Sequence, residues 1–437
     1  GLGFAEAAAL VPELAALGVT HLYLAPPFLA RAGSTHGYDV ADPTRLDPSL
    51  GGEAGFAELA DAARAHGLGL VLDIVPNHMG IGPDNPWWWD VLKNGRASPY
   101  AGFFDIDLAR DPDGKLVLPV LGAPLEEVVR KGEIGIEADP ERGGPVLVYH
   151  TQRFPISPAG GIPRRPGPES HFRQIDSQPY RLVPWTEGAA ARNYRRFFNI
   201  DELAGLRVEV PEVFEAAHAL ILELVAKGQV QGLRIDHVDG LDDPKAYLER
   251  LQQRLKEVRA HPAEPAGPGS RGAEAPFWVV VEKILVGEER LRQSWPVAGT
   301  TGYEVMNEIL GVLIDPAGLA ALEDLRAAAT GERDSFAAVA DAAKRLVLEQ
   351  LFPGELGVLV QKAGEITGLA REDLRAALTE MDVGFPVYRT YLTGAGAQRR
   401  AREVEAQLGQ ARVGQPRAAV VGRGPGKRLG VAPLADP

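Results

Sequence analysis

The stretch GLRIDHVDGL occupies residues 232–241 and combines an apolar strand pattern with charged groups. Because side chains alternate between the two faces of a strand, Leu233 and Ile235 share one face and Arg234 and Asp236 share the other. A guanidinium beside a carboxylate lowers the pKa of that carboxyl group and keeps it ionised. The stretch therefore predicts a buried strand that ends in an ionised aspartate held by an arginine.

The regions on either side of this stretch alternate between helix-like and strand-like patterns. Residues 5–18 and 53–67 are rich in alanine and leucine at helical spacing, whereas THLYLAPPF and LGLVLDIVPNH are short apolar runs typical of strands. The same rhythm predicts helices over 211–227 and 243–258, strands over 230–236 and 277–282, and mainly helices over 316–381. This alternation predicts an α/β fold with a parallel sheet covered by helices.

Residues 79–200 interrupt this rhythm. They are rich in glycine, proline and aromatic residues, as in NPWWWD, and contain a few strand-like runs but no good helical pattern. We therefore predict an irregular insert on one face of the sheet.

Polar side chains follow three of the predicted strands. Asp73 ends one strand with Asn77 and His78 just beyond it, Asp236 ends the second, and Glu282 ends the third. In a closed barrel the C-terminal strand ends converge, so these residues can meet around one pocket. One carboxylate beside an arginine and a second carboxyl nearby suit the cleavage of a glycosidic bond.

Each of these signals also has a structural alternative. Asp73 alone suits a buried aspartate that accepts backbone N–H groups, and His78 suits a core histidine. Glu282 followed by Lys283 suits a surface ion pair, and the arginine and aspartate of GLRID suit a structural salt bridge. The shared position at the ends of parallel strands favours a functional site over these alternatives.

Composition excludes several classes of partner and site. The 437 residues carry a formal net charge of −13, whereas nucleic acids and anionic membranes attract a basic surface. Cysteine is absent, which excludes disulfides, thiolate zinc sites and cysteine nucleophiles. No apolar run approaches membrane-spanning length, so we expect a cytoplasmic protein without nucleic-acid or membrane partners.

Several motifs carry a family resemblance. DIVPNH, GLRIDHVDG and VVVEK resemble three of the four conserved regions of the α-amylase family (glycoside hydrolase 13), and residues 34–52 resemble the segment after its second barrel strand. Longer motifs, among them NPWWWDVLKNGRASPYAGFFDID and NYRRFFNIDELAGLRVE, resemble the subgroup of maltooligosyl trehalose synthases. This resemblance extends from residue 1 to about residue 395.

The resemblance implies a (β/α)8 TIM barrel that is incomplete in this chain, with its first strand expected ahead of Gly1. The inserted subdomain would follow the third barrel strand, and the C-terminal part of such enzymes would be missing. The implied divisions are barrel residues 1–78, the insert 79–200, further barrel residues 201–315, a helical subdomain 316–395 and an atypical basic tail 396–437. Disorder and an altered end of the natural sequence are both open interpretations of the tail.

The resemblance also assigns roles to individual residues. It implies that Asp236 is the nucleophile, that Glu282 is the general acid/base and that Arg234 orients Asp236. The substrate-binding residues implied in the same way are Arg234, His36, Tyr38, Asp39, Asp73, Asn77, His78 and His237. It implies no required metal and no cofactor.

The activity implied by the resemblance is an isomerisation. The reducing-end α-1,4 linkage of a maltooligosaccharide becomes an α,α-1,1 linkage by a retaining double displacement, and the product would pass to a maltooligosyl trehalose trehalohydrolase. An α-amylase-like hydrolase and a catalytically dead glucan-binding fragment remain alternatives. The last alternative arises because no segment after Leu392 resembles the fourth conserved region, which carries a third acid.

The candidate sugar platforms are four tryptophans of the insert, Trp87, Trp88, Trp89 and Trp185. For at least two of the three consecutive tryptophans, the alternative is that they anchor the insert to the barrel.

Overall fold

The computed structural model describes residues 2–140, 142, 144–158, 168–260 and 276–391. One compact unit extends to Arg389 and a second begins at Thr390. The predicted basic tail, residues 396–437, lies outside the described residues, as does Leu392.

The described strands are, in chain order, β1 (His21–Leu24), β2 (Phe28–Ala30), β3 (Val40–Leu46), β4 (Gly69–Ile74), β5 (His78–Gly80), β6 (Leu116–Leu121), β7 (Ile134–Asp139), β8 (Gly144–Tyr149), β9 (Gln152–Pro155), β10 (Tyr180–Pro184), β11 (Arg196–Phe197), β12 (Ile200–Gly205), β13 (Gly232–Ile235), β14 (Trp278–Val281) and β15 (Gly299–Thr300). The described helices are α1 (Phe4–Ala16), α2 (Gly52–Ala65), α3 (Pro86–Asn94), α4 (Leu125–Lys131), α5 (Pro168–Asp176), α6 (Gly188–Ala191), α7 (Pro211–Ala226), α8 (Pro244–Ala260), α9 (Tyr303–Val312), α10 (Pro316–Thr330), α11 (Phe336–Gln350), α12 (Pro353–Thr367) and α13 (Arg371–Val383).

The central sheet contains five strands in the order β1-β4-β13-β14-β15, and every neighbouring pair is parallel. Leu233 and Ile235 are fully buried on one face of β13, as the alternation of side chains predicts. Ile235 pairs with Ile74 on one side and with Val281 on the other, so three strands end at the same level. This register places the residues that follow each strand along a single edge.

Helices cover one face of the sheet, and α2 illustrates why. Its buried residues Phe56, Leu59, Ala60 and Ala63 follow the spacing of one helical face, and α2 packs against β4 and α1. On the opposite face, His21, Tyr23, Val71, Arg234, Trp278 and Val280 line an open cavity of about 570 Å³. The described strands form an open sheet.

The insert is more regular than predicted. It contains the antiparallel sheet β7-β8-β9, the parallel pair β6 and β10, and the sheet β11-β12-β5, which reaches back to the residues after β4. The expectation of no good helix was wrong, because α3, α4, α5 and α6 are helical. The start of α3 shows the physical reason. Asn85 caps it by accepting a hydrogen bond from the Trp88 backbone at 2.9 Å, and Pro86 takes the first helical position.

Two tryptophans of α3 pack inside the insert. Trp88 is buried with its ring 5.0 Å from that of Phe104 and 5.5 Å from that of Tyr194, and Trp87 is buried against Phe103. Two of the three consecutive tryptophans are therefore core residues of the insert, and anchoring of the insert to the barrel stays a prediction.

The predicted helical region is confirmed by α10 to α13, and α9 precedes them. Leu356, Val360 and Leu374 form a small core between α12 and α13. Among the described residues, no single helix is long and apolar enough to cross a membrane. One bent pair, Tyr303–Val312 with Pro316–Thr330, meets that test by length and composition only.

We expect Trp88→Ala to lower the free energy of unfolding by about 3–5 kcal/mol, because it removes a buried indole and leaves a cavity. Trp89→Ala is the matched control. Trp89 is only partly buried, beneath the Arg142 guanidinium at 5.5 Å, so its loss should cost less than half as much. Chemical denaturation followed by circular dichroism measures both. Equal losses would contradict the role of Trp88 as a core residue of the insert.

Candidate active site

Three carboxylate residues lie at the shared edge of the central sheet. Asp73 lies on β4, and Asp236 and Glu282 directly follow β13 and β14. The backbone N–H of Asp236 donates to the Ile74 carbonyl at 2.9 Å, and that of Glu282 donates to the Ile235 carbonyl at 2.8 Å. The parallel ladder therefore continues up to the two acidic residues and fixes their backbones side by side.

Arg234 joins two of these carboxylates. Its Nη1 atom donates to both oxygens of Asp73, at 2.9 and 2.8 Å, and to Oδ1 of Asp236 at 2.6 Å. The predicted contact between Arg234 and Asp236 is confirmed. A hydrogen bond between ionised groups fixes the rotamers of both partners in a site shielded from water.

Two tyrosines complete the surroundings of Asp73. Tyr38 donates to Asp73 Oδ2 at 2.6 Å, Tyr23 donates to the same oxygen, and the two hydroxyl oxygens are 3.1 Å apart. Burial of the hydroxyl, with the Asp73 hydrogen bond, raises the pKa of Tyr23 to about 12. Asp73 is therefore bound by an arginine and two phenols, rather than by the backbone N–H groups considered from sequence. Tyr23 was missed, although it lies on β1, the first strand of this sheet, and lines the same open cavity as Arg234.

The pKa of Asp236 corrects the expectation drawn from its neighbour. Burial raises this pKa from 3.8 to about 6, and the negative charges of Asp73 and Glu282 add to the rise. Arg234 lowers this pKa but does not reverse the shift, because the effect of burial is larger. The carboxyl group is thus held in place by the guanidinium without being made more acidic than usual.

Glu282 faces the residue that follows Asp236. Its Oε2 atom accepts a hydrogen bond from the backbone N–H of His237 at 3.1 Å. The surface ion pair considered for Glu282 and Lys283 is contradicted, because Lys283 is buried and pairs with Asp239 at 3.2 Å and Glu289 at 3.0 Å. The Glu282 carboxyl group is therefore oriented toward the Asp236 side of the edge.

The two histidines lie in an aromatic environment. The His78 ring is 4.1 Å from the Phe197 ring, and the His237 ring is 4.9 Å from Phe197 and 5.1 Å from Phe198. The Tyr388 ring lies 5.9 Å from that of His237 and perpendicular to it. Burial lowers the pKa of His78 to about 3 and that of His237 to about 4, so both rings are neutral at pH 7.

We call Phe197, Phe198 and Tyr388 the aromatic wall. None of the three was identified from sequence. Phe198 adopts the left-handed backbone conformation with φ 47°, which is unusual for a bulky residue and occurs where the surroundings enforce it. A motif alone does not reveal such a residue, because the turn that presents it is defined by tertiary contacts.

The residues of the loop before β3 differ in whether they contact the three carboxylates. Tyr38 reaches Asp73, whereas the described contacts of Asp39 are within the loop, where Ser34 donates to its Oδ1 atom. The His36 side chain is exposed and its Nδ1 atom is 3.9 Å from Asp39. The structure thus brings Tyr38 to the carboxylates and leaves the proposed roles of His36 and Asp39 untested.

Asn77 braces the site through Arg195. Arg195 Nη1 donates to Asn77 Oδ1 at 2.8 Å, and the same guanidinium donates to the Leu206 carbonyl at 2.8 Å and to Asp105 at 3.1 Å. Gly240 approaches closely here, since an added Cβ would lie 2.5 Å from Asn77 Oδ1. A fixed positive charge on this amide oxygen disfavours its use as a metal ligand. Among the described residues, no three His, Asp or Glu side chains are grouped to hold a metal ion.

Comparison with known proteins places this geometry in context. Residues 11–266 match the family description "Alpha amylase, catalytic domain". A putative maltooligosyl trehalose synthase of Mycobacterium tuberculosis is 45% identical over 320 residues, which are 73% of this chain and 37% of that protein. The solved maltooligosyltrehalose synthase from Arthrobacter ramosus is 38% identical with a TM-score of 0.79, and the match covers 94% of this chain and 49% of the other.

A shorter match joins the chain to an intracellular maltogenic amylase of Bacillus subtilis, which is 41% identical over 90 residues, 21% of this chain and 15% of that protein. The matches thus cover 37% and 49% of the lengths of these two synthases. The matches confirm the predicted α/β fold of the (β/α)8 barrel type, of which the described residues form an open five-stranded portion.

We expect Asp236→Asn to be more stable than the parent at pH 7, by at most about 3 kcal/mol. The pKa of Asp236 is about 6 in the fold against 3.8 ordinarily, so the folded state binds the proton more tightly than the unfolded state. Ionised Asp236 therefore destabilises the fold; this penalty is complete above pH 6 and absent below pH 3.8. Asparagine carries no charge but still offers Arg234 an oxygen acceptor.

Melting temperatures at pH 4, 5, 6 and 7 measure this difference, with the exposed Glu58→Gln on α2 as control. The advantage of Asp236→Asn should shrink as the pH falls from 6 to 4, while the control stays flat. A difference that is constant across this range would disprove the raised pKa.

We expect EDTA to leave the melting temperature of the parent unchanged, because Arg195 already satisfies the Asn77 oxygen. Arg195→Ala should lose about 1–3 kcal/mol of stability, since it leaves the Leu206 carbonyl and the Asp105 carboxylate without this donor. Thermal melts with EDTA and with added Ca²⁺ measure both effects. A fall in the parent melting temperature with EDTA would show that a metal binds after all.

Proposed function

This chain belongs to the α-amylase family, and on that premise we propose that it carries the catalytic groups of an intramolecular transglucosylase acting on maltooligosaccharides. The proposed reaction converts the reducing-end α-1,4 linkage into an α,α-1,1 linkage and forms a maltooligosyl trehalose. The observation that carries the proposal is the placement of the Glu282 carboxyl group on the N–H immediately after Asp236, beside the guanidinium of Arg234.

The first proposed step cleaves the bond. Glu282 donates its proton to the α-1,4 oxygen beside the reducing-end glucose, while Asp236 attacks the anomeric carbon and forms a glycosyl–enzyme ester. For such a retaining reaction the two carboxyl groups are about 5–5.5 Å apart. Arg234 holds Asp236 in one orientation for this attack. The pKa of about 6 leaves Asp236 ionised at neutral pH.

The second proposed step forms the new linkage. The freed glucose turns within the site and presents its O1 hydroxyl to the same anomeric carbon, and Glu282 accepts the proton of that hydroxyl. The ester to Asp236 breaks as the new bond forms, so both carboxyl groups return to their starting states. No water is consumed, and the reaction is an isomerisation.

Exclusion of water decides between this reaction and hydrolysis. The aromatic wall supports exclusion, because its three rings lie near the His237 ring, at centroid distances of 4.9, 5.1 and 5.9 Å. Phe198 is 46% exposed and Tyr388 is 51% exposed, so in this proposal a bound glucan covers these rings and hinders the approach of water to the anomeric carbon. The neutral state of His78 and His237 also suits a site that binds an uncharged sugar.

The length of the sequence matches favours the synthase over the hydrolase. The match to the M. tuberculosis relative extends over 320 residues, whereas the match to the maltogenic amylase extends over 90 residues. By the same resemblance, the partners are a starch-derived glucan and a maltooligosyl trehalose trehalohydrolase that would consume the product.

Glucan binding without turnover is the second candidate function. The substrate-binding roles proposed for His36, Asp39 and Asn77 are common to both candidates.

The function is tested by incubating the chain with maltopentaose and following reducing ends and free glucose together. We expect reducing ends to disappear without release of glucose, and we expect Asp236→Asn to abolish this loss because it removes the nucleophile. Glu58→Gln, an exposed substitution on α2, is the control and should retain the parent rate.

Each alternative gives its own result in this assay. An increase in reducing ends would identify a hydrolase. Calorimetric binding of maltopentaose with no change in reducing ends would identify the glucan-binding function. Parent-like rates in Asp236→Asn would refute the assignment of the nucleophile.

A further inference from the structure

The insert contains a second cavity, whose lining shares no residue with the carboxylate cluster. Its volume is about 620 Å³, within the range of about 300–1,000 Å³ that is usual for small-molecule sites. Its walls come from β6, β9, β12 and the turns near them. We call this cavity the insert groove.

One exposed tryptophan marks the insert groove. Trp185 directly follows β10 and is 66% exposed, whereas Trp87, Trp88 and Trp295 are buried. Among the described residues, its ring stacks on no other aromatic ring. A large indole left in water beside a cavity is costly for folding alone and is typical of a binding surface.

The polar groups of the groove suit a hydroxylated ligand, and they include the guanidinium groups of Arg31 and Arg153, which donate to hydroxyl oxygens. Gln152, Asn199 and Glu202 are exposed and offer amide and carboxylate groups that can accept from and donate to hydroxyls. Asp201 is engaged by Arg192 and Arg196, each at 2.7 Å, so its charge is already compensated. The groove thus combines an apolar platform with uncompensated hydrogen-bonding groups of mixed type, the combination that a pyranose ring and its hydroxyls require.

The insert groove and the proposed active site are lined by residues that are close in sequence. Asn199 directly follows Phe198 of the aromatic wall, and Glu202 is four residues beyond Phe198. Four residues span at most about 14 Å even when fully extended. One short segment therefore lines both places, and an oligosaccharide of several units can contact both.

We propose that the insert groove is an accessory binding site for α-1,4-linked glucan chains, with Trp185 as the platform for one sugar ring. The site holds the part of the chain remote from the linkage that reacts, so long maltooligosaccharides bind more tightly than short ones. The choice of an α-1,4 glucan as ligand rests on the proposed function, whereas the existence of the site rests on the groove itself.

Calorimetry in the Asp236→Asn background tests the proposal without turnover. We expect Trp185→Ala to weaken maltoheptaose binding about five- to tenfold while leaving maltotriose binding unchanged. Trp185→Phe should recover most of the affinity, because it keeps an aromatic ring. Phe336→Ala is the matched control, since Phe336 is 88% exposed on α11 and lies outside the groove.

Three results would overturn the accessory site: no measurable binding of maltoheptaose, equal affinities in the parent and Trp185→Ala, and equal losses for maltotriose and maltoheptaose. Cellohexaose is the linkage control, and binding as tight as that of maltoheptaose would contradict an α-1,4 preference.

The outcome of this binding test is separate from the outcome of the test of the proposed function. Loss of maltoheptaose affinity in Trp185→Ala supports the groove even if maltopentaose is not isomerised, and isomerisation with unchanged binding in Trp185→Ala refutes the groove alone.

Discussion

The site depends on one guanidinium that is shared by two carboxylates. Arg234 Nη1 contacts both oxygens of Asp73 and one oxygen of Asp236, in a place where Asp73 is completely buried. A buried pair of like charges is strongly unfavourable without a cation, and loss of one partner from such a group costs more than loss of an exposed ion pair. Removing the arginine would therefore disturb the orientation of Asp236 and would also leave the buried Asp73 carboxylate without its cation.

This arrangement costs stability and provides reactivity. Burial raises the pKa of Asp236 to about 6 in spite of the arginine, so at neutral pH the fold carries an ionised group that it would hold more favourably as the neutral acid. Functional sites commonly retain such unfavourable groups because the chemistry needs them. In the proposed reaction, a carboxylate that is oriented but not strongly stabilised remains a reactive nucleophile.

The insert links the sheet edge to the helical region. Arg196, beside the aromatic wall, donates to Asp201 at 2.7 Å, to Glu355 of α12 at 3.0 Å and to the Leu351 carbonyl at 2.7 Å. The turn that carries Phe197 and Phe198 is thus held from two sides, which explains how Phe198 can keep a left-handed backbone. The same segment leads into the insert groove, so the wall and the proposed accessory site share one support.

The sequence by itself determined the parallel sheet, its helices and the acidic residues at the strand ends. These features follow from local patterns, because successive side chains of a strand point to opposite faces, which separates Leu233 and Ile235 from Arg234 and Asp236. Only the tertiary structure decided which groups surround these acids. Tyr23, Phe197, Phe198 and Tyr388 come from distant segments, and the balance between burial and the guanidinium that sets the Asp236 pKa depends on how deeply the assembled edge excludes water.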